Sequence, residues 1–78
     1  MDGNHPENEL DVTGLACPLP VLKAGKRLRA MGPGEVLRVT ASDPMAKIDL
    51  PHFCSEQGHQ LLAAEEVNGV FIFRIRRK

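Results

Sequence analysis

The chain has 78 residues, 42% of them hydrophobic and 26% charged, enough for one thin-cored domain and no second. A domain of this size buries only about 60% of its unfolded surface, so any chemistry must sit near the surface rather than in an enclosed chamber. Ten basic residues balance ten acidic ones, which argues against a generic polycation for nucleic acid or membrane.

Residues 1–8 are polar and acidic, carry Gly3 and Pro6, and show no period; a disordered acidic tail is expected, followed by a single domain over 9–78. Leu10 and Val12 then alternate with Asp11 and Thr13, a short half-buried strand stopped at Gly14. From Pro18 to Met31 the period becomes helical. Val21, Ala24, Gly25, Leu28 and Met31 share one face, and Lys23, Lys26 and Ala30 lie opposite. Gly25 on the inner face costs helix propensity but lets the helix approach a sheet closely. Gly32-Pro33-Gly34 is the stop.

Glu35 to Ser42 reads as a second strand with Leu37, Val39 and Ala41 on one face. Asp43 as N-cap and Pro44 at the first position open a second helical region. Pro51 falls inside it, so the reading is a short turn near 44–48 and then a helix from about Leu50 to Gln57, closed by Gly58. Leu50, Phe53 and Cys54 face inward on that helix. His59 to Val67 is a third strand, Asn68-Gly69 a hairpin turn, and Val70 to Arg77 a fourth strand with Phe71, Phe73 and Ile75 on the core face. The order βαβαββ makes the strands of each βαβ unit parallel and puts both helices on one side. The fold expected is an α/β (α+β) two-layer sandwich: a mixed four-stranded sheet with two helices packed on one face. Asp11, Arg38, Thr40, Arg74 and Arg76 are left on an open face.

The zero net charge conceals segregation. Residues 1–11 hold four acids and no Lys or Arg, whereas Lys23, Lys26, Arg27 and Arg29 form one basic block and Arg74, Arg76, Arg77 and Lys78 another. No apolar run approaches the roughly 20 residues of a membrane span. The polar, acidic start is the reverse of a secretory leader, so a cytoplasmic location is expected. Two cysteines are too few for a disulfide scaffold, and a reducing compartment argues against pairing them. Without Trp or Tyr, and with three Phe, the chain lacks a stacking platform for bases.

The informative stretch is Gly14-Leu15-Ala16-Cys17-Pro18-Leu19-Pro20, where the first strand turns into the first helix. Proline is tolerated at the first and third helical positions, whose N–H groups have no intrahelical acceptor. Pro18 and Pro20 in those places make Cys17 the N-cap, with its sulfur at the positive end of the helix dipole and a thiol pKa moderately lowered. The prolines leave chiefly the Leu19 N–H to meet the sulfur, and their two fixed φ angles pin Cys17 at an exposed corner. Two readings stay open on the residues alone. Cys17 is either a small apolar residue at a helix start, or an exposed thiolate that accepts and releases a group such as a sulfane sulfur, a glutathione or a sulfenate oxygen.

These residues carry a resemblance to the TusA/SirA-like sulfur-carrier family, small βαβαββ proteins in which Cys-Pro-X-Pro opens the first helix. It runs from about Leu10 to Arg77 and takes in Leu10-Asp11, Gly14-Leu15, Pro33-Gly34-Glu35, Asp43-Pro44, Asp49-Leu50-Pro51 with Phe53-Cys54, Gly58-His59 and the basic end Ile75-Arg76-Arg77-Lys78. The resemblance implies that Cys17 accepts sulfur as a persulfide from a cysteine desulfurase or rhodanese and passes it to an acceptor protein. The chain would then be a sulfurtransferase acting as a relay, with no cofactor. Family branches serve tRNA thiolation, molybdenum cofactor formation or sulfur oxidation. Ala16 and Leu19 stand where TusA proper typically has a basic and an acidic residue, so the tRNA pathway is not assigned.

Pro18 and Pro20 are the motif-positioning residues of this reading, and Leu19, Lys23, Lys26 and Arg27 the partner-docking ones. Leu19 projects away from the core beside the thiol, and the cations suit an acidic partner groove. Cys54 is expected to be a buried structural thiol. His52, Cys54 and His59 fit no zinc spacing, and no metal is expected. The competing class is a thiol-sensing regulator or a protein- or RNA-binding module using the basic helix and the open sheet face, the RNA reading weakened by the lack of exposed aromatics. A monomer is expected.

Overall fold

The computed structural model describes residues 8–78; the rest of the expected tail, with His5, lies outside the described residues. Asn8, assigned to that tail from sequence, instead opens the first strand. The elements run β1 (Asn8–Val12), α1 (Leu19–Ala30), β2 (Val36–Ala41), α2 (Ala46–Gln57), β3 (Gln60–Val67) and β4 (Val70–Arg76). They build a four-stranded sheet of order β1-β2-β4-β3. β1 pairs parallel with β2, while β4 is antiparallel to both of its neighbours. The sheet is mixed, as expected, and β2 and β3 run the same way with β4 between them.

The core lies between the helices and one sheet face. Val12, Leu37, Val39, Ala41, Phe71, Phe73 and Ile75 supply the sheet side, Ala24 and Leu28 the α1 side, and Ala46, Leu50 and Cys54 the α2 side. Strict alternation in β2 and β4 produces this: every second residue of Val36–Ala41 and of Val70–Ile75 is buried. β3, at the sheet edge, has no fully buried residue and carries a register shift between Leu61 and Ala63, a common device on edge strands. Asn68 and Gly69 both have positive φ, 51° and 80°, as the two-residue hairpin requires.

Three local expectations are corrected. Pro51 does not divide the second helix: α2 is continuous from Ala46 to Gln57. Proline costs the bond its N–H would make to the Lys47 carbonyl, but Leu50 and Cys54 on either side of it are anchored in the core, and that packing outweighs the loss. Asp43 does not cap α2 directly. Its Oδ1 accepts the Met45 N–H at 3.1 Å and its carbonyl accepts the Ala46 N–H at 2.9 Å, so a turn over Asp43–Ala46 precedes the helix. Gly25 is buried, yet its close neighbour is not the sheet: a Cβ there would stand 3.3 Å from Phe53 Cζ of α2. The glycine sets the spacing between the helices.

Long side chains fasten the frame at its other end. Arg77 Nε donates to the Leu28 carbonyl at 2.7 Å, neutralising the negative end of α1. The Lys78 N–H donates to His59 Nδ1 at 3.2 Å, and His59 lies against Phe53 with ring centroids 5.8 Å apart.

Candidate functional site: a cysteine between two helix starts

Because β1 and β2 are adjacent and parallel, their carboxyl ends feed α1 and α2 from the same edge of the sheet. The segment before α1 and the segment before α2 therefore lie side by side. Ligand sites of parallel α/β units form at this edge. Here the loop Thr13–Ala16 is tied down twice: the Gly14 N–H donates to Ser42 Oγ at 2.8 Å, and the Thr13 N–H and hydroxyl donate to Asp11 Oδ1 at 2.9 and 2.7 Å. Those two bonds to Asp11 hold its carboxyl below the ordinary carboxylate value.

Cys17 follows, exposed, and joins Pro18 through a cis peptide. The Leu19 N–H, expected to meet the sulfur, donates instead to the Ala16 carbonyl at 2.9 Å and closes a turn around Cys17-Pro18. The first helical bond runs from the Leu22 N–H to the Pro18 carbonyl. Pro18 is thus the N-cap and Pro20, buried, the second helical residue; Cys17 stands one position outside the helix. Its own N–H donates to Asp43 Oδ2 at 2.7 Å, a charge-assisted bond between the two helix starts.

The sulfur's electrostatics are also the reverse of the expectation. Asp49 lines the same groove as Cys17, and its carboxylate, first as a hydrogen-bond acceptor, holds the thiol above its ordinary value, with added contributions from desolvation and from the charges of Asp49 and Asp43. A cysteine outside the helix, with its nearest free N–H already used and two carboxylates beside it, does not gain the dipole's help. Around it opens a groove of about 260 Å³ lined by Cys17, Pro18, Val21, Asp49, His52, Phe53 and Glu56. His52 Nε2 lies 3.4 Å from Glu56 Oε2 one turn along α2.

The structure brings Cys17 and Pro18 into this groove but sends the cations elsewhere. Lys23, Lys26 and Arg27 line a separate shallow depression with Leu10 and Ala30. Arg27 is engaged there, its Nη1 donating to the Glu9 carbonyl at 3.1 Å, while Lys23 and Lys26 face solvent. Leu19 is exposed as expected. Leu22, Met45 and Ile48 are also exposed, Ile48 by 64%; they lie in or beside the first turns of the two helices, so the edge that carries the thiol is apolar as well. Cys54 points into the core, where burial pushes its thiol up to about 11.

Sequence reasoning named Asp49 only among the residues of the resemblance, weighed His52 only as a metal ligand, passed over Glu56, and placed none of them, nor Asp43, beside Cys17. The available signal was a polar stripe at spacings of three and four, which places 49, 52 and 56 on one flank of a helix. The expected break at Pro51 hid it by cutting that stripe in two.

Comparison with known proteins agrees with this architecture. The family described as Sulfurtransferase TusA matches residues 8–77. The chain is 42% identical over 73 residues to the sulfur carrier protein TusA of Pseudomonas putida strain GB-1, covering 94% of this chain and 91% of that one. It is 51% identical over 69 residues to a protein of Neisseria meningitidis serogroup A provisionally named as a sulfur carrier, covering 88% and 93%. Among solved structures, the SirA-like protein of Desulfitobacterium hafniense superposes with a TM-score of 0.78 at 30% identity, over 87% of this chain and 93% of that one. With nearly its whole length matched in sequence and in fold, the chain belongs to the TusA sulfurtransferase family.

Proposed function

We propose that this protein is a sulfur carrier that holds a sulfane sulfur as a persulfide on Cys17 and relays it between two proteins in the cytoplasm. The observation that carries the reading is the presentation of Cys17. It is an exposed thiol, bound through its N–H to Asp43, on an edge with an exposed apolar rim and only a shallow groove. Such a site is open to a protein's reacting cysteine rather than shaped to enclose a small substrate.

In the loading step the Cys17 thiolate attacks the outer sulfur of a donor persulfide. The Cys17 S–S bond forms, the donor's S–S bond breaks, and the donor cysteine leaves as a thiolate that takes up a proton. In delivery an acceptor thiolate attacks the outer sulfur and Cys17 leaves. One sulfur atom moves each time with no net oxidation, so no redox cofactor enters. A cysteine desulfurase or a rhodanese is the class of donor. Pro18 and Pro20 shape the corner, and Leu19 with Leu22, Met45 and Ile48 supplies apolar contact of the kind transient interfaces use. Lys23 and Lys26 add electrostatic steering toward an acidic partner surface.

Incubation with a cysteine desulfurase and cysteine, followed by intact-mass measurement, tests the reading. One added sulfur is expected on the native protein and on Cys54→Ala, and none on Cys17→Ser. Loading that survives Cys17→Ser, or fails with both classes of donor, refutes it. Reversing Lys23 and Lys26 to Glu is expected to slow loading at low salt, with the difference shrinking as ionic strength rises.

A further inference from the structure

Asp43 and Asp49 share one property: among the described residues, neither forms a salt bridge with a cation. Both lie beside Cys17, Asp43 accepting its N–H at 2.7 Å and Asp49 lining the same groove. Glu56 and His52, which lie 3.4 Å apart, complete the charged lining on α2, and α1 adds only Val21 to the groove. Of the cations of α1, Lys23, Lys26 and Arg27 lie around the separate depression beside Leu10, and Arg29, whose Nη1 lies 3.4 Å from where a Gly25 Cβ would stand, does not line the groove. A nucleophilic thiol is thus set beside Asp43 and Asp49, for which no salt bridge is formed among the described residues, in a groove open enough for a side chain to enter.

We propose that Asp49 is a positioning residue that keeps unloaded Cys17 in its thiol form, and that a partner's cationic side chain, seated in the groove against Asp49, releases it as the reactive thiolate. The inference deepens the carrier reading and rests on it. Left alone, the thiol keeps its proton, offered as a hydrogen bond to the carboxylate, and the negative charge opposes a second anion on sulfur. A guanidinium or ammonium pairing with Asp49 withdraws that acceptor and cancels its charge, and the proton passes to solvent. The same cation assists both halves of the relay: a larger thiolate fraction speeds attack on the donor persulfide, and a stabilised Cys17 thiolate is the better leaving group in delivery. An unpartnered carrier is thereby spared from random thiol chemistry. The groove accordingly selects a partner with a cationic reacting segment, whereas Lys23 and Lys26 on the other flank suit an acidic surface farther from the sulfur.

Two measurements on the isolated protein test the proposal. The first is the rate of Cys17 alkylation by iodoacetamide against pH, read on the Cys17 peptide by mass spectrometry. Asp49→Asn is expected to move the midpoint downward and to speed reaction at about pH 7.5 by roughly threefold to tenfold, since one unit of pKa is tenfold in thiolate. Asp49→Glu, which keeps the charge, is expected to stay near the native profile. The second is thiol–disulfide exchange at low salt with cationic cystamine and with anionic dithiodipropionate. Cystamine is expected to react about tenfold faster, and the preference to fall with added salt and in Asp49→Asn. An Asp49→Asn profile that overlays the native one or moves upward overturns the proposal, and so does exchange with the anionic disulfide at the cystamine rate. The exchange arm needs no variant, so a folding defect in Asp49→Asn does not shield the idea. Neither arm uses a sulfur donor, so failure here is distinct from failure of sulfur loading.

Discussion

Burial holds the Cys54 thiol at a pKa of about 11 beside Leu50 in the core, whereas Cys17 stands exposed at the groove. Reagents should therefore separate the two. In native buffer near pH 8 we expect iodoacetamide to add one carbamidomethyl group, at Cys17, and a second only in denaturant, with intact mass as the readout. Two groups added at equal rates to the native chain would show that the core around Cys54 opens. The shift at Cys17 is upward even though the residue is exposed, because the Asp49 carboxylate in the same groove acts on the sulfur as acceptor and as charge, while the helix begins one residue away. The exposure of Cys17 at the start of the first helix was legible in the sequence; its electrostatic surroundings were not. Asp49 is 32 positions away along the chain, and no local pattern connects the two.

Among the elements, the contact of α1 with α2 decides the groove's width. Gly25 permits it: Phe53 Cζ and Cε1 lie 3.3 and 3.4 Å from where a Cβ would be, and Phe53 also lines the groove and touches His59. Gly25→Ala gains up to about 1 kcal/mol of helix propensity and loses a comparable amount by pressing on the ring, so little net change is expected. Gly25→Leu should destabilise by about 1–3 kcal/mol through overpacking, measurable by urea denaturation, and should alter Cys17 reactivity by displacing Phe53. A Gly25→Leu protein as stable as the native one would show that the helices separate freely. The inward face of α1 was readable from its spacing, and so were both core-facing strands, because apolar periods of 3.6 and 2 are direct consequences of helix and strand geometry. Which inward residue meets the sheet and which meets the other helix was not, since both partners satisfy the same period.

At the scale of the molecule, the chain's C-terminal end is clamped to the frame through His59. The Lys78 N–H needs the unprotonated Nδ1 as acceptor, and partial burial with the nearby charges of Lys78 and Arg77 pushes the imidazole below its ordinary value of 6.5. With the folded value below the unfolded one, the unfolded chain binds the proton first. Stability contributed here is therefore full above about 6.5 and is lost as pH falls through that value toward the lower folded one. The expected result is a Tm that declines from about pH 7.5 to pH 5.5, with the decline flattened in His59→Gln. An unchanged slope in that variant would place the pH sensitivity elsewhere.

The amino-acid sequence alone determined the element order, the mixed sheet with its two helices, the Asn68-Gly69 turn, the inward Cys54 and the outward Cys17. Each of these follows from a local preference: an apolar period, a positive-φ turn, a proline with no N–H to satisfy. The tertiary structure decided what depends on chain segments meeting. The parallel pairing of β1 with β2 set the two helix starts side by side, and that alone brought Asp43 and Asp49 to Cys17. It took the Leu19 N–H for a turn, kept α2 whole through Pro51 by anchoring Leu50 and Cys54, and placed Lys23, Lys26 and Arg27 around a depression separate from the groove at Cys17.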